Sequence, residues 1–307
     1  MTVSPTRAAP VLTEIAAGVH AYVQPDGGWC VNNAGVLVGD DGVVVIDTVA
    51  TRSRAERLRD TIDRLGAGPV HTVVNTHSHG DHTFGNAVFG PSATVVAHTL
   101  ARTEMAAAGL GLTALWPDVD WGDVRLRLPM VTFDDRLTLH VGDRRVELVH
   151  VGPAHTTNDV VAWLPDDGVL FAGDVVLSGC TPFHLMGSVE GTLRALIRLR
   201  ALAPDLVVSG HGALSGPEVF DRTESYLNWI QELARDGVRS GLTPLDVARD
   251  ADLGVFGNLL DGERIVGNLY RAYSELRGDP LGAPLDVAAV FGEMVRFNGG
   301  RLPTCLA

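Results

Sequence analysis

Residues 70–82 read VHTVVNTHSHGDH, an apolar, β-branched run that passes directly into three histidines and an aspartate. The composition of 70–76 predicts a strand, and the string His77-Ser78-His79-Gly80-Asp81-His82 then lies at its carboxyl end. Ligands of α/β sheets gather outside the carboxyl ends of strands. Two imidazoles two residues apart in an extended turn point the same way and can grip one divalent cation. The Asp81-His82 pair, swung round by Gly80, faces a second. Histidine and carboxylate are the ligand types expected for Zn²⁺ and related first-row metals. A plain polar turn is the competing reading.

Working outward, three more polar residues follow apolar runs and are flanked by Gly or Pro: His155 in VGPAHTTND, Asp174 in VLFAGDVV and His211 in LVVSGHG. All can reach one rim. Strands are predicted at 19–23, 34–39, 43–47, 93–97, 137–141, 145–151, 159–164, 168–172 and 205–209, with Asp40-Asp41-Gly42 as a turn. Helices are predicted at 51–66 and 190–203. Such mixing argues for an α/β layer structure. Beyond residue 215 the pattern turns helical, at 216–236, 243–250, 258–277 and 284–297. The chain therefore divides into an α/β part, 1–215, and a helical C-terminal extension, 216–307, packed on it. Residues 110–135, with Trp116, Pro117, Trp121 and Pro129, read as a long irregular insertion of the kind that borders active sites.

Composition excludes several chemistries. All 24 basic residues are Arg. Without lysine there is no Schiff base to a carbonyl substrate, no internal aldimine and no P-loop amine. A net charge of −13 argues against nucleic acid as a partner. Cys30, Cys180 and Cys305 are scattered, so the chain is no disulfide scaffold. No apolar run reaches the roughly 18 residues of a membrane span, and the first twenty residues lack a secretory h-region. The expected location is the cytoplasm, with no membrane partner.

With these motifs assembled, the chain resembles the metallo-β-lactamase superfamily over roughly residues 10–215. The resemblance implies a four-layer αβ/βα sandwich and two Zn²⁺ ions. It further implies that His77, His79 and His155 hold the first metal, that Asp81, His82 and His211 hold the second, and that Asp174 bridges them, as in the glyoxalase II and RNase Z branches. Cys180, six residues past Asp174, is not a ligand in this reading. A finer resemblance rests on GGWCVNNAG (27–35), VVNTHSHGDHTFGNAVF (73–89), LWPDVDWG (115–122), VGPAHTTNDVV (151–161) and FNGGRLPTCLA (297–307). These look like the bifunctional cyclase/thioesterases of aromatic type II polyketide pathways, of the actinorhodin type. What that implies is ring closure on an acyl-carrier-protein-bound polyketide and hydrolytic release of its thioester. Asp81 and Asp174 are then catalytic as well as ligating. Rival readings are a plain hydrolase of a thioester, lactone or β-lactam, iron chemistry on the same ligands, and a non-catalytic metal-stabilised module.

Other residues are less specific. His184 is either a pocket acid or orienting group or a structural histidine. His20, His71, His98, His140 and His150 read as structural. Trp29, Trp116 and Trp121 could stack on a flat substrate or fill core, and Asp47 ends a strand where it can support a metal histidine. Arg52, Arg54, Arg57, Arg59 and Arg64 form either a carrier-docking face or, more simply, a solvated one. The chain is compatible with a homo-oligomer.

Overall fold

The computed structural model describes residues 9–307. The first eight residues, part of the segment read for a secretory signal, lie outside the described residues. One sheet runs β1 (Val11–Ala16), β2 (Val19–Val23), β3 (Ala34–Gly39), β4 (Gly42–Ile46), β5 (Val70–Val74), β6 (Thr94–His98) and β7 (Val131–Phe133) in chain order. It is antiparallel as far as β4 and parallel from β4 to β7. The other is a meander of β8 (Arg136–Val141), β9 (Arg144–His150), β10 (Val160–Leu164) and β11 (Val169–Gly173), with β12 (Leu206–Ser209) added parallel to β11.

Strands covered on both faces read as continuous apolar runs, and β4, β10 and β11 are buried at every residue. Leu37, Ile46 and Val74 of the first sheet meet Leu148, Leu164 and Phe171 of the second between the layers. The sheets approach closely enough that a Cβ on Gly35 would lie 2.5 Å from the Phe171 ring. Outside, α1 (Arg52–Asp63) lays Ala55, Leu58 and Ile62 on the first sheet. On the second sheet α4 (Val189–Ala201) lays Ala195, Leu196 and Leu199. The result is the expected four-layer α/β sandwich.

Beyond it come α5 (Glu218–Ser240), α6 (Pro244–Asp250), α7 (Arg264–Leu276) and α8 (Val287–Phe297). Leu227, Ile230, Leu269 and Met294 of these helices share one core with Phe84, Trp116, Trp121 and Phe183 from loops at the sandwich edge. Truncating Leu227 or Leu269 to Ala would cost roughly 2–5 kcal/mol. No described helix is long and apolar enough to cross a membrane.

The expected strands fall within two residues of observed ones. The helix expected from 258 begins only at Arg264, because Leu260 is extended and pairs with the backbone beside Cys180. The 110–135 insertion is less irregular than expected, holding a 3₁₀ turn at Gly111–Leu115 and β7. Elements not anticipated include β1, β7, the one-turn α2 (Gly80–Thr83) and α3 (Thr99–Ala108).

Candidate metal centre

Loops from both sheets converge on one rim. His77 and His79 follow β5, and Asp81 and His82 lie in α2. His155 lies in the β9–β10 loop, Asp174 follows β11 and His211 follows β12. The structure brings all seven side chains together. His79 Nδ1 is 3.1 Å from His77 Nε2 and 2.9 Å from His155 Nε2. His211 Nε2 is 3.3 Å from Asp81 Oδ2, and His82 Nε2 lies 3.8 Å from the same carboxylate oxygen. Asp174 stands between the groups, at 3.2 Å from His82, 3.5 Å from His155 and 3.4 Å from His211.

Hydrogen bonds behind the rings decide which nitrogen faces inward. His155 Nδ1 donates to the Phe183 carbonyl, and His211 Nδ1 donates to those of Gly27 and Gly28 at 3.0 and 3.2 Å. His82 Nδ1 donates to Asp47 Oδ2 at 2.8 Å. The Thr76 hydroxyl gives its one proton to Asp47 at 2.7 Å, so at 3.0 Å it accepts from His77 Nδ1. Asp47, a strand-end residue at φ 59°, thereby orients two histidines. The Nε2 atoms of His77, His82, His155 and His211 are all turned inward.

That arrangement fits cations. Tetrahedral zinc with nitrogen ligands at 2.0–2.1 Å spaces them about 3.3 Å apart, close to the separations found. His82 Nε2 and Asp174 Oδ1 are buried without a hydrogen-bond partner although they are neighbours, as expected of groups aimed at a third body.

Charge divides the cluster. Burial, reinforced by neighbouring imidazoles, pushes His77 well below the usual histidine range, and burial lowers His79 and His155 likewise. Burial also opposes charge on His82 and His211, but carboxylates outweigh it. Asp174, Asp47 and Asp81 hold His82 well above its ordinary value, and Asp174 with Asp81 pushes His211 up to about 9. Despite burial, the facing imidazoles keep Asp81 and Asp174 below the usual carboxylate range.

The cluster opens on a cavity of about 590 Å³. Its body is apolar: Trp29, Phe84, Trp116, Phe183 and Phe291, with Leu112 and Leu115 of the 110–135 segment, Leu285 just before α8 and Val287 at its first position. The volume is that of a drug-sized ligand site. Its two Arg side chains are partly engaged by the protein, with Arg264 Nε and Arg271 Nη1 left without a hydrogen-bond partner. Arg264 stacks on Trp29 at 4.1 Å and pairs with Asp261 at 2.8 Å, and Arg271 donates to the Leu185 carbonyl.

One expectation needs correction, and two open alternatives resolve. His184 does not line the cavity. It is fully buried behind His155, with Nδ1 beside the Ala154 carbonyl and the Thr192 hydroxyl, and burial lowers it to about 4. Trp121 is core, packed on Phe84 and donating to the Trp116 carbonyl. On α1, Arg52 pairs with Glu56, Arg54 reaches Gln24 and the Leu306 carbonyl, and Arg59 pairs with Asp60, which leaves Arg57 and Arg64 as the exposed cations. Cys180 lies outside the cluster, its thiol donating to the Gly27 carbonyl. Sequence reasoning missed Glu104, which lines the cavity from α3. Its signal was a run of strong helix formers, TLARTEMAAA, directly after a strand.

Comparison with known proteins agrees with this geometry. A family model described as the metallo-beta-lactamase superfamily matches residues 27–211. The 2,4-dinitroanisole O-demethylase subunit alpha of Nocardioides sp. (strain JS1661) is 28% identical over 226 residues, 72% of this chain and 63% of that protein. The chain thus spans less than two thirds of that relative. Hydroxyacylglutathione hydrolase of Methylococcus capsulatus is 34% identical over 139 residues, 44% of this chain and 45% of that one. The structure of a metallo-beta-lactamase from Pontibacter korlensis superposes with a TM-score of 0.61 at 24% identity, covering 72% of this chain and 99% of that one, a likeness of fold.

Proposed function

Given that the chain belongs to the metallo-beta-lactamase superfamily, we propose that it closes a ring on a carrier-bound aromatic polyketide and hydrolyses the thioester that holds it, using two Zn²⁺ ions. The observation that carries this reading is the cavity. About 590 Å³ of mostly apolar space, walled by Trp29, Trp116, Phe183 and Phe291, opens on the ligand cluster. A flat, partly cyclised polyketide would fill that volume and stack on those rings.

In this reading His77, His79 and His155 hold one ion, Asp81, His82 and His211 the other, and Asp174 lies between. Bound zinc supplies a Lewis acid for a carbonyl oxygen and lowers the pKa of water. The chain supplies the rest. Asp47 and Thr76 fix the ring faces of His82 and His77. The apolar wall excludes bulk water from the substrate and presses it against the cluster. With lysine absent, ring closure proceeds through an enolate rather than an enamine.

A second reading, a plain thioester hydrolase, is favoured by the similarity to hydroxyacylglutathione hydrolase. Against glutathione as its substrate stands the apolar wall. Metal-loaded protein incubated with a monocyclic β-diketone thioester, with bicyclic product and free thiol measured separately, decides between them. Ring product together with thiol supports the cyclase; thiol alone leaves the hydrolase.

A further inference from the structure

Glu104 is a carboxylate in the cavity wall that belongs to neither group of candidate ligands. Its Oε2 accepts from Ser78 Oγ at 3.0 Å and from Asn158 Nδ2 at 2.7 Å, and its Oε1 accepts from the Thr157 hydroxyl. Ser78 stands between His77 and His79, and Thr157 and Asn158 follow His155. The carboxylate is therefore fixed against both ligand loops while half-buried at the cavity edge. An ionised carboxylate offers about four lone-pair sites. Three are occupied, and the fourth, on Oε1, is left for a group in the cavity.

Among the side chains of the wall, elimination leads to the same residue. The other titratable side chains of the wall are His79, Asp81, His155, Asp174 and His211, all candidate ligands, together with Cys30, Arg264 and Arg271. Neither Arg accepts a proton. A hydrogen bond to Cys305, with burial, holds the Cys30 thiol well above its usual range, so its thiolate is out of reach. No lysine exists to take the part.

We propose that Glu104 is the base that removes a proton from the carbon beside a substrate carbonyl, an assignment that rests on the cyclase reading. The C–H electron pair moves toward the carbonyl oxygen, giving an enolate, and the proton passes to Glu104 Oε1. The enolate carbon bonds to a second carbonyl carbon, whose π pair moves to its oxygen, and that oxygen takes the proton back from Glu104. Loss of water follows when a second C–H proton passes to the regenerated carboxylate and on to the departing hydroxide.

The test uses metal-loaded protein in D₂O with 2-acetylnaphthalene, an aryl methyl ketone that cannot close a ring. Proton NMR reads loss of the methyl signal. The wild type should catalyse exchange. Glu104→Gln should lose about 100-fold or more, the scale of general-base catalysis, and Glu104→Asp should fall between. Elemental analysis should find equal metal per chain in all three. No exchange by the wild type overturns the proposal, as does a Gln variant that exchanges within a few-fold of it. Metal lost in proportion to exchange also overturns it, since Glu104 would then only position the ligand loops. If the Gln variant does not fold, the Asp variant carries the comparison. Exchange that depends on Glu104, with no ring formed from the β-diketone thioester, would retain this assignment and reject the cyclase reading.

Discussion

Gly210 has no side chain where Asp174 needs the space: a Cβ built there would fall inside the contact shell of Asp174 Oδ1. The Gly210 amide also donates to the Gly173 carbonyl at 2.7 Å, so neither strand end can retreat. Gly210→Ala should therefore displace the Asp174 carboxylate. We expect metal affinity to fall at least as far as on loss of an orienting partner, about 10–100-fold. Zinc titration of the purified variant checks it, and wild-type affinity would count against the proposed bridging role of Asp174.

Asp47 acts at one remove. It accepts from His82 Nδ1, the Thr76 hydroxyl and the Thr76 amide, the last at 2.7 Å. Asp47→Ala should weaken zinc binding by about 10–100-fold. It should also cost roughly 1–3 kcal/mol of stability, because the buried Thr76 amide loses its acceptor. Denaturant melts and zinc titration measure the two effects separately.

Proton release should distinguish the two proposed metal positions. His77, His79 and His155 are held below the usual histidine range and are neutral at pH 7, whereas His82 is held above it and His211 rises to about 9. The first zinc should bind with little proton release, and the second should displace protons from His82 and His211. Calorimetry in buffers of different ionisation enthalpy reads the difference, and equal release for both ions would contradict it. The linkage has a definite sign. In metal-free protein the raised folded-state pKa of His211 contributes stability that is fully present below about 6.5 and is lost as pH rises through about 9. Zinc affinity at this position should rise across the same range.

Ala288 lines the cavity from the exposed side of α8, so a larger side chain there need not disturb the core. Ala288→Trp should raise KM for an aryl thioester by about tenfold, equivalent to 1.4 kcal/mol of lost binding. Zinc stoichiometry should stay the same. An unaltered KM would mean that substrate enters elsewhere.

The sandwich was legible because strands such as GVVVI and VLFAG are buried on both faces and hold little but apolar residues. The seven candidate ligands were legible for a related reason: each interrupts or follows such a run with a residue that has no other use there. What stayed hidden had weak patterning. Only Ala101 and Met105 of α3 are buried, too few to mark a helical face, so Glu104 passed unread. In β1 no residue is fully buried. His184 misled because spacing along the chain shows nothing of depth, and Phe183 rather than its neighbour turns toward the cavity.

The centre is divided between the two sheets. A nascent chain that has emerged only as far as β7 carries His77, His79, Asp81 and His82. It still lacks His155, Asp174 and His211, which lie beyond it in the sequence. In the proposed two-zinc arrangement neither site is complete without a residue from beyond β7, so a full pair of ions would report that the later strands have docked.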